Sequence, residues 1–223
     1  MVFIDKKGDI CLMEVIKAVI TADIVNSSLL TKAEMYSLRK AIEKLLVKHD
    51  LRFTFYRGDS FNAVCEVSEA LKIVALLRTR AIQASADTGR HIDIRVALGI
   101  GIVEEPFKNV STAKGEAFIL SGREMDRMEK DGPRLTIRCH EPVADAGLMA
   151  VALFTDFIIR KLTTRQAEVI YALLQGATQI KAARKLKKSQ STINKHAQSA
   201  HWKELMRVMS IYLTICKGLI LDA

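Results

Sequence analysis

Five side chains near the C-terminus, Gln190, Ser191, Asn194, Lys195 and Gln198, fall on one face if their segment is helical. Amides, a hydroxyl and an ammonium in that pattern are groups that read nucleic acid: Asn and Gln bond adenine in bidentate fashion, and Lys reaches guanine or a phosphate. Arg184, Lys185, Lys187 and Lys188 stand just before them as candidate phosphate contacts. A second set lies far upstream. Asp23 ends the apolar, β-branched run that starts at Val15, and Asp59 sits between the short apolar runs Phe53 to Tyr56 and Phe61 to Cys65. A carboxylate at the end of a buried strand needs a reason, and two stand open. Paired carboxylates are the chemistry that holds divalent cations against a phosphate. Asp also caps turns, as in an Arg57-Gly58-Asp59-Ser60 hairpin tip.

The elements that would position the first set are marked by their ends. From Leu162 to Gly176 the chain reads as an amphipathic helix with Thr163 and Thr164 suited to its N-cap, a glycine stop, and Ala167, Ile170, Tyr171 and Leu174 on one face. Thr178 opens a second helix, with Ile180, Ala183 and Leu186 at helical spacing and small Ala182 and Ala183 permitting a close crossing. After a Lys187-Lys188-Ser189 break, Ser189 caps a third helix whose inner face is Ile193, Ala197 and Ala200. Helix, short turn, helix is the helix-turn-helix unit, with residues 190 to 198 outward on the helix that enters the major groove. The plainer alternative is a helical hairpin that only packs on its own domain or on a partner. Beyond Trp202, Leu205, Val208, Met209, Tyr212, Leu213, Cys216 and Leu219 predict a long final helix that closes this unit or forms a dimer seam.

Charge agrees with that division. The net charge is +9, and residues 156 to 223 carry 12 Lys/Arg against 4 Asp/Glu, whereas residues 1 to 155 carry 22 against 21. A basic module on a nearly neutral body is the electrostatic footprint of a polyanion-binding appendage. With hydrophobic residues at 49%, charged residues at 26% and only 3 prolines, disorder is not expected to carry the function. The longest apolar runs, Gly147 to Phe154 and Ile211 to Ile215, stop well short of the roughly 20 residues that span a bilayer, and Asp5 to Asp9 break the apolar start that a signal peptide would need. A cytoplasmic protein with no membrane partner is expected. Cys11, Cys65, Cys139 and Cys216 are too scattered for a zinc site or a disulfide frame and are expected to be buried thiols.

The first two thirds alternate between the two periodicities. A strand from Val15 to Asp23, a helix from Lys32 to His49, a hairpin of Phe53 to Tyr56 with Phe61 to Cys65, a helix from Glu69 to Ser85 and a strand from Ile92 to Val103 follow in order, then a helix around Phe118 to Met128 and a strand from Arg134 to Cys139. Strand, helix, two strands, helix, strand is the ferredoxin-like split arrangement. The fold class expected is α+β: a mainly antiparallel sheet with helices on one face, followed by a small all-α domain. The expected divisions are 1–145 for the α+β domain, 146–161 for a linker helix and 162–223 for the helix-turn-helix domain.

Four segments in this order resemble the class III nucleotidyl cyclases: Thr21-Ala-Asp-Ile-Val-Asn-Ser, Arg57-Gly-Asp-Ser-Phe-Asn-Ala, Arg95-Val-Ala-Leu-Gly-Ile-Gly and Gly115-Glu-Ala-Phe-Ile-Leu-Ser-Gly-Arg. The C-terminal Thr163-Thr-Arg-Gln-Ala-Glu-Val and Ser189-Gln-Ser-Thr-Ile-Asn-Lys-His resemble the helix-turn-helix of LuxR-type regulators and sigma factor region 4. A cyclase-like palm joined to such a module is similar to the bacterial SatD family, in which a run like Gly115 to Glu124 recurs. The resemblance implies that Asp23 and Asp59 hold Mg²⁺ or Mn²⁺ with a nucleotide, and that Arg123 stabilises a transition state. Ser27 and Ser28 are grouped with Arg123 as candidate nucleotide or phosphate contacts, against a reading in which Arg123 pairs with Glu124 or Glu116. Arg95 and Lys114 are read as solvated. The family's asparagine is replaced by Ile119, and its two base-reading positions fall at Phe55 and Thr112. Three of six site positions have changed chemical type, so efficient cyclisation is not expected. The resemblance implies a homodimer, and one two-fold axis would serve both a shared nucleotide site and paired DNA half-sites. The expectation is a DNA-binding transcription regulator with a degenerate cyclase-like domain that senses a nucleotide or metal through the Gly147 to Arg160 helix. The alternative is a divergent metal-dependent cyclase or phosphohydrolase with a regulatory basic tail. An interaction protein is a third class, and it explains the polar face of residues 190 to 198 least well.

Overall fold

The computed structural model describes residues 13–56, 58–88, 91–129 and 132–221; Asp5 to Asp9, Cys11 and Arg57 lie outside them. The first strand, β1 (Met13–Val25), is followed by α1 (Lys32–Lys48), whose first turn is fixed by a capping box between Thr31 and Glu34. The hairpin β2 (Arg52–Tyr56) and β3 (Ser60–Cys65) leads to α2 (Val67–Thr88) and β4 (Asp93–Glu105). Antiparallel pairing places β1 between β3 and β4, in the order β2-β3-β1-β4, which is the split arrangement expected. A further pair, α3 (Glu116–Arg127) and β5 (Leu135–Arg138), adds β5 parallel to β4 as the fifth strand.

The expectation of helices on one face needs correcting. Ala18, Ile20, Ala22 and Ile24 of β1 join Ile42 of α1 and Leu71 of α2 in the main core, but alternate residue Val19 packs with Val64, Val103 and Ala117 on the opposite face, under α3. The reason lies in β4, which is apolar on both sides, as a doubly covered strand must be. Its Gly99 lets the α3 backbone approach: a Cβ there would lie 2.2 Å from the Ala117 carbonyl oxygen and 2.8 Å from the Ser121 nitrogen.

Five helices complete the chain: α4 (Pro142–Arg160), α5 (Thr164–Leu174), α6 (Gln179–Leu186), α7 (Gln190–Ser199) and α8 (Trp202–Leu221). The α4 helix starts four residues before the expected linker, with Pro142 in its first turn and the Glu141 carboxylate accepting from the Val143 and Ala144 amides. It is long and apolar enough to cross a membrane by length and composition, yet Leu148, Val151, Ile158 and Ile159 are buried against the sheet body. The apolar core continues without a break into α5 and α8, through Ala167, Ile170, Leu174, Leu205 and Tyr212. The Tyr212 hydroxyl donates to the Val67 carbonyl at 2.7 Å, and Gln83 donates to the Ala167 carbonyl at 3.3 Å. A separate small core holds α5, α6 and α7 together: Val169, Ala172, Leu173, Ala182, Ala183, Ile193 and Ala197. Ile180, expected on the inner face of α6, is half exposed on its first turn and does not join that cluster. Burial pushes the Cys65 thiol up to about 12 and the Cys139 and Cys216 thiols to about 11, so none of the three is a nucleophile near neutral pH.

One buried ion cluster joins these layers. Arg78 of α2 is fully buried and donates Nε and Nη2 to the two oxygens of Asp93 at 3.1 and 2.7 Å. Its Nη1 lies 2.7 Å from Asp156 Oδ1 of α4, in ion-pair contact but without hydrogen-bond alignment. Arg134, before β5, reaches Asp93 at 3.2 Å and gives its backbone N–H to Asp156. Burial opposes ionisation of Asp93, but the charge and hydrogen bonds of Arg78 reverse that and hold the carboxyl below its ordinary 3.8. Arg78→Met strands two carboxylates in the core and should cost about 3–5 kcal/mol in urea unfolding. A folded-state value below the unfolded one gives stability that is present above about pH 4 and lost as pH falls through the folded value. The melting temperature should therefore fall steeply below about pH 4 in the parent, and less steeply in Asp93→Asn.

Candidate functional site

Strand register brings the two upstream carboxylates together. Asp23 is paired across β1 with Arg95 of β4 on one side and with Ser60 of β3 on the other, and Asp59 immediately precedes Ser60. The Ile24 amide donates to the Asp59 carbonyl at 3.1 Å, closing the end of β1 over the hairpin tip. Asn26, at φ 60, then turns the chain in the left-handed region into the short 3-10 segment Ser27–Leu29. The result is a polar cleft of about 530 Å³ lined by Asp23, Asn26, Ser27, Ser28, Asp59, Arg95 and Arg134. Four of the five residues expected in a nucleotide or metal site meet here: Asp23, Asp59, Ser27 and Ser28.

Arg95 was expected in solvent, and its placement corrects that reading. Its Nε and Nη2 bond both oxygens of Asp23, at 3.0 and 2.7 Å, and Nη1 donates to the Met128 carbonyl at 2.8 Å. The hydrogen bond it donates to Asp23, against partial desolvation, raises the arginine above its ordinary range. Asp59 is also engaged, accepting from Ser27 Oγ at 2.5 Å and from Ser60 Oγ at 3.2 Å. All four carboxylate oxygens thus have donors within the chain, and two guanidiniums share the cleft. A divalent cation needs anionic oxygens free to face it, and among the described residues no group of three or more His, Cys, Asp or Glu could hold a metal. The arrangement does not fit a two-metal centre while Arg95 holds Asp23.

Arg123 does not join the cleft. It is exposed on α3 beside a different depression of about 840 Å³, with Lys114, Ile119 and His140. The carboxylates proposed as its partners are committed elsewhere, Glu124 to Arg127 and Arg138, and Glu116 to His140. In one copy of the chain, Arg123 and the paired aspartates thus line different depressions. Phe55 is packed at 5.0 Å on Phe61 with the Arg39 guanidinium 4.5 Å above its ring, and the Thr112 hydroxyl donates to the Asn109 carbonyl. Neither is placed to read a base. Arg134 is the cleft residue that sequence reasoning missed. Arg95 carried a signal, a lone charge inside the apolar run of β4, that pointed to a buried partner.

The second candidate surface is α7. Thr163, Thr178 and Ser189 each cap their helix, accepting from the amides of Gln166, Lys181 and Thr192. Lys187, in the left-handed region at φ 53, makes the turn between α6 and α7. With Ile193 and Ala197 buried, Gln190, Ser191, Asn194, Lys195 and Gln198 are all exposed on the opposite side, and Arg184, Lys185 and Lys187 are exposed beside them. Lys188 differs from its expected role as a free phosphate contact, because it is half buried and ion-paired with Glu168 at 3.2 Å.

No protein-family model matches the chain, and no curated protein matches it. Among solved structures, its fold is similar to that of adenylyl and guanylyl cyclases over somewhat more than half of the chain. The adenylyl cyclase CyaB from P. aeruginosa is 14% identical, with a TM-score of 0.48 over 57% of this chain and 79% of that one. The guanylyl cyclase Cya2 is 11% identical, with a TM-score of 0.44 over 57% of this chain and 76% of that one. The adenylate/guanylate cyclase/hydrolase from Silicibacter pomeroyi is 19% identical, with a TM-score of 0.39 over 52% of this chain and 72% of that one.

The Asp23–Arg95 fork gives a direct test of the cleft. Millimolar Mn²⁺ should leave the melting temperature of the parent unchanged and raise that of Arg95→Met, in which Asp23 is released to bind it. A saturable shift in the parent would show that the fork opens readily for a metal.

Proposed function

We propose that this chain is a DNA-binding transcription regulator in which α6, the turn at Lys187 and α7 act as a helix-turn-helix, carried by a degenerate cyclase-like body of the kind the SatD family resemblance implies. The observation that carries this reading is the uniformly polar, exposed face of α7, held outward by a small core of its own within the segment that bears nearly all of the excess charge. Side chains at the N-terminal half of such a helix reach base edges in the major groove, while Arg184, Lys185 and Lys187 would meet phosphates. The reading places the protein in the cytoplasm, with double-stranded DNA and a second copy of itself as partners.

The cleft would serve as the sensing site for a nucleotide or another phosphorylated ligand. Arg134 lines it and also touches Asp93, which is held by Arg78, the partner of Asp156 on α4. A ligand that drew Arg134 toward the cleft would change the ion cluster that seats α4, the helix that runs directly into α5. DNA affinity left unchanged by every nucleotide tried and by Asp59→Ala would remove this coupling.

A second reading, a divergent nucleotide cyclase or phosphohydrolase, is favoured by the meeting of Asp23, Asp59, Ser27 and Ser28 in one cleft. Turnover of labelled ATP or GTP with Mn²⁺, lost in Asp23→Ala, would establish it; on the leading reading no such turnover is expected.

Selection from random duplex DNA across a salt series separates the two. The parent should enrich a recurrent site, Asn194→Ala should lose about 1–3 kcal/mol of discrimination at one base position, and Lys195→Ala should reduce the salt slope by about one if it contacts a phosphate. Weak binding that salt erases, with no recurrent site, would sink the regulator reading.

A further inference from the structure

The α4 helix leaves an apolar stripe facing water. Val143 is 81% exposed, Leu153 57%, Phe154 61% and Phe157 55%, and the exposed positions between them are also apolar, Ala146, Met149 and Ala150. Every polar group on α4 lies off this stripe: Asp145 is bound to Arg138, Asp156 is buried beside Arg78, and Arg160 stands at the end. A helix that is apolar on its outer as well as its inner face has a partner on both. The large side chains alone leave on the order of 500 Å² of contiguous apolar surface, the upper end of what a monomer keeps open.

We infer that this stripe pairs with the α4 stripe of a second copy, antiparallel, about a two-fold axis passing near Ala150. The order of side-chain sizes along the helix is what selects this occupant. The first turns present smaller groups, Val143 and Ala146, with Met149 as the one long side chain of that half, and the C-terminal half presents large ones, Leu153, Phe154 and Phe157. An axis at residue 150 sets Phe157 against Val143 and Phe154 against Ala146, so each phenyl ring meets a smaller side chain; Gly147 faces Ile215 of α8 instead. At Ala150, where the helices would cross, a methyl group faces a methyl group, with Met149 beside it. Beside Phe154 and Phe157 a groove of about 700 Å³, bordered by Pro133 and Lys161, offers room for the incoming Val143. The ends match in charge as well: Glu141 at the start of one helix would face Arg160 and Lys161 at the end of the other. The self-complementarity is that of an isologous interface, and two stripes would bury about 1,000 Å², the lower bound for a specific contact. A membrane surface would make no use of graded sizes, and interfacial helices oppose their apolar face with a charged one, whereas the other face of α4 is core. The pairing stands whether or not α7 reads DNA.

Sedimentation velocity on the full chain over a concentration series, with Cys11 replaced by Ser in the cross-linking variants, tests the pairing. The parent should associate to a dimer, and Phe157→Glu should weaken it by about 30-fold or more, since the two-fold removes two aromatic anchors and buries two carboxylates in their place, with its melting temperature little changed. A short bismaleimide should join two copies of Ala150→Cys but not of Val143→Cys, whose positions the two-fold separates by about 21 Å along the helix. A mixture of Val143→Cys and Phe157→Cys should cross-link. The proposal is overturned by a parent that stays monomeric at high concentration, by a dimer indifferent to Phe157→Glu, or by cross-linking at 143 with itself and not at 150. A monomer that sediments with phosphatidylcholine vesicles through Phe154 and Phe157 would also overturn it, by giving the stripe a lipid occupant.

Discussion

Arg78 is fully buried, and its three donor directions reach two carboxylates from different elements, one at the head of β4 and one on the last turns of α4. A guanidinium without counter-ions could not remain in that core, because desolvation of the unpaired charge costs far more than packing returns. The position of α4 against the sheet is therefore tied to α2 by charge as well as by apolar contact. The bidentate fork to Asp93 sets the guanidinium in one geometry on β4, and Asp156 of α4 is held against that fixed charge. The cluster thus adds a charge contact to the apolar core that seats α4, and Arg134 extends the same cluster to the rim of the cleft.

Much of the plan was readable from pattern alone. The alternation of β1 and β4, the glycine-bearing hairpin tip and the helical spacing of α1 and α2 announce the split β-α-β order, and the N-caps at Thr163, Thr178 and Ser189 lie where Ser and Thr precede amphipathic runs. What pattern could not convey is the direction a two-sided strand assigns to its neighbours. Residues of both faces of β4 are apolar, so nothing local says that α3 will cover the face opposite α1 and α2. The start of α4 was available, since Glu141-Pro142 is a cap followed by a proline suited to the first turn, but the apolar run that begins at Gly147 drew attention away from it.

The site was legible in part for the same reason. Asp23 and Asp59 stood out as charges at strand ends, and register then set them side by side. Arg95 showed only as a lone charge in an apolar run and Arg134 not at all, because the partner that holds each one is a tertiary neighbour that its own segment does not contain. The separation of Arg123 from the aspartates is likewise a tertiary fact: Arg123 lines one depression and Asp23 and Asp59 line another, and neither segment of sequence says so.

The uninterrupted apolar core from the sheet into α5 and α8 has a mechanical meaning. An appendage on a flexible tether can search for sites at varied distances, but a helix trio seated on a rigid body presents its outer face at a set height and angle. In a two-fold pair so built, the separation of the two α7 faces would be a molecular dimension rather than a range. On the proposed reading of α7 such a pair would act as a caliper: two half-sites a whole number of helical turns apart would fit, and the same half-sites moved by half a turn of the duplex would lie on the wrong side of it.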